Sequence, residues 1–242
     1  MCGESLKLRG GRPYYGHVLG VLLLETRFPR VPGDVGNAES YPFPVLFKVV
    51  RGATIKRVVK EADRSLLEPF LEAALEIEPY IKAITTSCGF LVLFQDELAS
   101  RLRVPVFTSS LLMAPLVQRL VGGKVGIVTA DSSSLTERHL EAAGIAGGVY
   151  IKGLEDKPEL SRAILGNSED MDVGRVEREV VEASKELVEQ HPDVKALVFE
   201  CHNLSPFSKS VQRETGLPVF DFISFAKFVY SAVVKQSWSW ER

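Results

Sequence analysis

One segment of this chain is written twice, so any fold it adopts must house the same text at two places 113 residues apart. Aligned without a gap, residues 82–107 and 195–220 share Lys82/Lys195, Ala83/Ala196, Cys88/Cys201, Leu91/Leu204, Phe94/Phe207 and the run Pro105-Val106-Phe107/Pro218-Val219-Phe220, eight of 26 positions. In each copy an apolar run, Ile81 to Ser87 or Val194 to Glu200, reads as a buried strand that ends at a cysteine. A helix-compatible stretch follows before the next strand opens at Pro-Val-Phe. Cys88 and Cys201 are therefore expected at the carboxyl ends of parallel strands, the edge at which α/β sheets bind ligands.

The text around the repeat alternates in the same way. His17–Leu24 reads as the first strand, followed by a loop over residues 26–44 rich in proline and glycine, a length that in a compact domain usually signals function or disorder. Val45–Val50 resumes strand character, Asp63–Ile77 has helical spacing, and helices are expected around Leu91–Leu102 and Leu111–Val121 with a strand at Val104–Thr108. After Gly122-Gly123 the pattern restarts. Lys124–Ala130 resembles the first strand, a helix capped by Ser133 or Ser134 runs to Gly144, and Val149–Lys152 is a short strand. The spacing predicts a long amphipathic helix over Val173–Gln190 and a last helix over Phe222–Lys235. Strands alternating with helices imply parallel sheets joined by right-handed crossovers. The expected fold class is α/β, with two pseudo-symmetric Rossmann-like domains, each a parallel sheet flanked by helices, and an active site in the cleft between them. The final helix is expected to return to the first domain, which makes that domain residues 1–115 plus 223–242 and the second 116–222.

Charge and cysteine usage narrow the function. With 29 basic and 31 acidic residues and no block of like sign, the chain lacks the basic stripe that a nucleic-acid surface requires, so no nucleic-acid partner is expected. Three cysteines without a CxxC pair form neither a disulfide framework nor a zinc spacing, and free thiols point to a cytoplasmic protein. Lys7, Arg9 and Arg12 precede the apolar Val18–Leu24, but that stretch ends at Glu25 with no small-residue cleavage pattern. No run reaches the ~18 apolar residues of a membrane span, so no membrane partner is expected. GxxxxGK[ST] and GxGxxG are both missing, and no metal-ligand spacing is present. The expected cofactor and metal are none.

Two matched thiols suit chemistry at an acidic C–H bond. One thiolate removes an α-proton while a neutral thiol on the opposite face returns one, which inverts a stereocentre. Free cysteine titrates near pH 8.5, close enough to neutrality for a modest shift to produce a thiolate, and a helix amino terminus supplies such a shift. Thr85-Thr86-Ser87-Cys88-Gly89 places small residues around the first cysteine, where backbone N–H groups can approach a carboxylate, and Glu200-Cys201-His202-Asn203 surrounds the second with polar groups. A single buried cysteine is more often inert than reactive. Two at equivalent strand ends favour function, whereas Cys2, outside the pattern, is assigned none.

TTSCGF, ECHN, the KVGIVTA strand and the duplication together resemble the aspartate/glutamate racemase superfamily, which also contains hydantoin racemases, maleate cis-trans isomerases and arylmalonate decarboxylases. The resemblance spans nearly the whole chain. It implies cofactor-independent catalysis by Cys88 and Cys201, a homodimer, and a substrate carboxylate held by donors just after each cysteine, here Gly89-Phe90 and His202-Asn203. Glutamate racemases carry Asp-Ser after the first strand, Cys-Asn-Thr at the first cysteine and Cys-Thr-His at the second. Here Glu25-Thr26, Cys88-Gly89-Phe90 and Cys201-His202-Asn203 stand instead, which disfavours a glutamate racemase.

Further candidates keep two readings each. Arg51, after the second strand, can form a bidentate pair with a carboxylate or be an ordinary surface arginine. Thr26 and Arg27 follow the first strand, Thr129 and Asp131 follow its counterpart in the second half, and each is a ligand contact or structural. Asp34 and Asn37 belong to a lid or to turns, and His202 tunes Cys201, donates to a carboxylate or makes a structural bond. His17, His139 and His191 have no constellation. The expected activity is a racemase or epimerase, an isomerase, acting on a small carboxylate-bearing amino acid or derivative. The alternatives are a maleate-type isomerase using one nucleophilic cysteine and a two-domain protein that binds small carboxylates without turnover.

Overall fold

Apolar runs bounded by loops on one side and amphipathic helices on the other produce two sheets of the same design. The computed structural model describes residues 9–237, so Cys2 and Lys7 lie outside the described residues. In chain order the elements are β1 (Leu19–Leu23), β2 (Val45–Val49), α1 (Leu67–Ile77), β3 (Ala83–Thr86), α2 (Gln95–Arg101), β4 (Val106–Phe107), α3 (Ala114–Val121), β5 (Lys124–Thr129), α4 (Glu137–Ala142), β6 (Val149–Gly153), α5 (Pro158–Leu160), α6 (Val173–Gln190), β7 (Val194–Phe199), α7 (Ser208–Thr215), β8 (Val219–Phe220) and α8 (Phe222–Val233). The strands form two four-stranded parallel sheets, ordered β2-β1-β3-β4 and β6-β5-β7-β8. The second order repeats the first, so the α/β class and the pseudo-symmetry read from the sequence are present in the fold.

The repetition extends to single residues. Gly20 in β1 pairs with Ile84 in β3, and Gly126 in β5 pairs with Leu197 in β7. A Cβ on Gly20 would meet Ile77 of α1, and one on Gly126 would meet Leu187 of α6, so each first strand uses a bare backbone to let its covering helix approach. The closing helices then exchange partners. Ala114 and Val117 of α3 join a core with Val125, Ile127, Ala196 and Val198 of the second sheet, while Phe222 and Ala226 of α8 pack with Val21, Ala83 and Phe107 of the first.

Local departures from the sequence pattern have local causes. The fourth helix starts at Glu137 rather than near Ser133, because Asp131 accepts from the hydroxyls of Ser133 and Ser134 and ties them into a turn. Thr136 caps it, paired with His139 in a capping box. The stretches expected as helices after the cysteines begin as 3-10 turns, Gly89–Phe94 and His202–Phe207, before α2 and α7. The short α5 continues as a π turn over Ser161–Leu165, helical structure that the sequence pattern did not predict. Among the described residues no helix is long and apolar enough to cross a membrane.

Candidate active site

Equivalent positions in the two sheets bring the two cysteines to one place. Cys88 and Cys201 each follow the inner strand of a sheet and cap a six-residue 3-10 turn, with Leu91 N–H bonded to Cys88 O and Leu204 N–H to Cys201 O, both at 3.1 Å. The N–H two residues on reaches each sulfur, from Phe90 to Cys88 and from Asn203 to Cys201, and favours the thiolate. Both cysteines line one narrow pocket between the carboxyl ends of the sheets. Leu24, Phe28 and Phe90 from one half and Ala130, Ile164 and Leu165 from the other make its walls apolar.

The polar side chains of the pocket form a small network. Arg30 donates to Asp34 at 2.9 Å and to Thr26 Oγ1 at 2.7 Å, and its guanidinium lies 4.2 Å from the centroid of the Phe28 ring. A guanidinium has about five N–H donors, so these two bonds leave others for an anion. Asp34, 3% exposed, also accepts from Gly36 N–H and from Asn203 Nδ2 at 2.9 Å. Cys201 Sγ in turn donates to Asn203 Oδ1 at 3.7 Å. The 26–44 loop is thereby pinned to the second cysteine, with Gly33, at a φ of 97°, packed on Pro206.

Burial dominates the protonation of the centre. It pushes the Cys88 and Cys201 thiols up, and the nearby Glu200 carboxyl pushes both further. A charge on Cys88 also opposes one on Cys201, so the pocket does not favour two thiolates. Glu200, the last residue before Cys201, is fully buried. Desolvation pushes its carboxyl up to about 8 against the hydrogen bond from Thr129.

Of the residues singled out from sequence, Thr26, Cys88, Gly89, Phe90, Cys201, His202 and Asn203 line this pocket together. Arg51 sits exposed in the turn after β2 and Thr129 lies fully buried in β5; neither lines the pocket. Thr129 donates to Glu200 Oε2 at 2.7 Å instead. The His202 ring is committed on both sides: Nε2 accepts from Ser110 N–H at 3.2 Å, which leaves Nδ1–H to donate to Thr86 O at 3.0 Å. Burial lowers its basicity to about 3, so it stays neutral and ties the halves together. Arg30 and Glu200 are pocket residues that the sequence reading did not single out. The signal for Glu200 was available, since a charged residue closes an otherwise apolar strand; Arg30 had only its four-residue spacing from Asp34. Among the described residues no group of three or more His, Cys, Asp or Glu is placed to hold a metal ion.

The model of the Asp/Glu/Hydantoin racemase family matches residues 45–226. The chain is 33% identical over 221 residues to a protein of Durusdinium sp. clade D named dimethylsulfoniopropionate lyase, covering 87% of this chain and 73% of that one. It is 30% identical over 230 residues to dimethylsulfoniopropionate lyase 7 of Emiliania huxleyi (strain CCMP1516), covering 89% and 67%. Among solved structures, an allantoin racemase from Pseudomonas fluorescens superposes with a TM-score of 0.61 at 15% identity, over 89% of this chain and 91% of that one. The expectation of an amino-acid racemase, an isomerase, is overturned by these relatives, which are named as lyases.

Proposed function

This chain belongs to the Asp/Glu/hydantoin racemase family, and from that membership we propose that it is a lyase that splits dimethylsulfoniopropionate by removing the proton α to its carboxylate. The observation that carries the reading is the 33% identity to a lyase of that name, in a chain whose two thiols line one pocket.

The chemistry needs a base at Cα, a grip on the carboxylate and a dry site. One thiolate, of Cys88 or Cys201, takes the α-proton. The C–H electron pair becomes the C=C bond, and the C–S pair leaves on neutral dimethyl sulfide. A zwitterion and a thiolate thus give acrylate, dimethyl sulfide and a thiol, with charge balanced. The spare donors of Arg30 suit the carboxylate, whose partial enediolate character in the transition state they stabilise. Phe90 offers an aromatic wall to the sulfonium cation. Family members that racemise need a second group to return the proton. A β-leaving group makes that return unnecessary, because the carbanion collapses by elimination.

The test is direct. Purified protein incubated with dimethylsulfoniopropionate is expected to release dimethyl sulfide into the headspace and acrylate into solution. Cys88→Ala or Cys201→Ala lowers kcat by about 10²–10⁴-fold where that thiol is the base. No release by the wild type, or full activity in both variants, refutes the reading.

A further inference from the structure

The carboxyl of Glu200 is held in a way that a structural role does not explain. It is fully buried, its Oε2 accepts the Thr129 hydroxyl at 2.7 Å, and its Oε1 is buried with no hydrogen-bond partner. Among the described residues no cation pairs with it. Lys60 pairs with Asp131, Arg30 pairs with Asp34, and His202 is neutral with both ring nitrogens engaged. Asp131, whose N–H reaches the far side of Thr129 at 3.4 Å, opposes ionisation of Glu200. A buried polar atom without a partner costs free energy that a packed apolar side chain would not.

Its position relative to the thiols is specific. Glu200 precedes Cys201 in the chain, and its carbonyl oxygen and Oε1 crowd Gly89, the residue after Cys88, so closely that a Cβ at 89 would overlap both. The carboxyl therefore lies against the residue that follows Cys88, on the residue that precedes Cys201, and its charge acts on both thiols. We propose that Glu200 accepts the proton of a pocket thiol, so that Cys88, Glu200 and Cys201 share a single ionisation and a thiolate forms without a second negative charge in the pocket.

In the transfer the S–H bond breaks, an O–H bond forms on Glu200, and the negative charge moves from oxygen to sulfur. Burial has pushed the carboxyl to about 8 and the thiols higher still, so Glu200 is the first of the three to ionise, and the single negative charge it admits rests mainly on oxygen with the thiolate as the minor tautomer. This deepens the lyase reading, on which its purpose rests: after the thiolate has taken the substrate proton, Glu200 releases its own to solvent and resets the site.

Alkylation of the folded protein by iodoacetamide, followed for each cysteine by peptide mass spectrometry from about pH 6 to about pH 10, reads thiolate without any substrate. In the wild type, alkylation of a pocket cysteine is expected to rise through a step near pH 8 to a plateau, reporting the shared ionisation. In Glu200→Gln the step disappears and the rise moves up by about one pH unit or more. In Thr129→Val, which removes the bond to the ionised carboxylate, the step moves up but survives. A Glu200→Gln profile that superimposes on the wild type, or moves only to lower pH as loss of a repelling charge dictates, overturns the proposal. If Glu200→Gln does not fold, an unmoved step in folded Thr129→Val overturns it equally. A wild-type step without dimethyl sulfide release refutes the lyase reading and leaves the shared ionisation standing.

Discussion

Gly89 is where the sequence and the pocket meet most tightly. The TTSCG text suggested a glycine that lets a substrate carboxylate approach the backbone, and the structure adds a second reason, the carbonyl and carboxyl of Glu200 from the other half of the molecule. Gly89→Ala is expected to lower stability by about 1–3 kcal/mol in urea denaturation, the usual cost of overpacking. It should also displace Glu200, so the pH step of cysteine alkylation changes with it. An alanine variant as stable as the wild type contradicts this packing. Of the hydroxyls that the sequence offered as a setting for the first cysteine, Thr85 donates to Phe107 O, Thr86 donates to Thr108 O and also reaches Cys88 O at 3.0 Å, and Ser87, a pocket residue, accepts from Leu24 N–H. They brace the strand end. Residue type alone does not distinguish a hydroxyl that faces a ligand from one that ties two strands.

At the scale of elements, α8 is the piece whose loss reaches furthest. Phe222 is fully buried, stacks with Phe107 of β4 and lies 4.4 Å in centroid distance from the His202 ring beside Cys201. Phe222→Ala is expected to cost about 3–5 kcal/mol, measured by thermal or urea unfolding, and to loosen the ring that bonds Thr86 and Ser110. The exchange of α3 and α8 between the sheets supports a proposed division of residues 1–115 with 223–242 against 116–222. Strand positions were legible because burial on both faces leaves unbroken apolar runs, and α6 because its stripe has helical period. The start of α4 was not, since Asp131 competes for the two serines that would otherwise cap it. The Pro158–Leu165 turns are too short for a periodic signal.

For the whole molecule, the buried titrating groups predict an optimum of stability. His202 and His139 are held at about 3 and about 4, against an ordinary 6.5, chiefly by desolvation. The unfolded chain therefore binds their protons below pH 6.5 while the folded one does not, and stability falls as pH drops. Glu200 acts in the opposite sense: raised from 4.5 to about 8, it holds a proton in the folded state that the unfolded chain has lost, so its contribution falls as pH rises. Between 4.5 and 6.5 the two histidines outweigh the one carboxyl. Stability should rise by roughly one kcal/mol per pH unit. Above 6.5 only Glu200 acts, and stability should decline toward pH 8. Denaturation across this range checks the sign, and Glu200→Gln should abolish the decline.

Reaction type lay beyond both the motif and the fold. Racemisation and β-elimination share their first step, loss of an α-proton to a thiolate, so paired cysteines in a racemase fold do not separate them; the proposal of elimination rests on the names of the relatives. What the sequence determined by itself was the repeated α/β order and the placing of Cys88 and Cys201 at equivalent strand ends, because apolar runs and an internal repeat are properties of neighbouring residues. The tertiary structure alone decided that Arg30 and Asp34 join the network beside the cysteines and that the Glu200 carboxyl reaches Gly89, while Arg51 stays at the surface. Those positions depend on the path of a loop and on contacts such as Asp34 to Asn203, 169 residues apart, which no local pattern encodes.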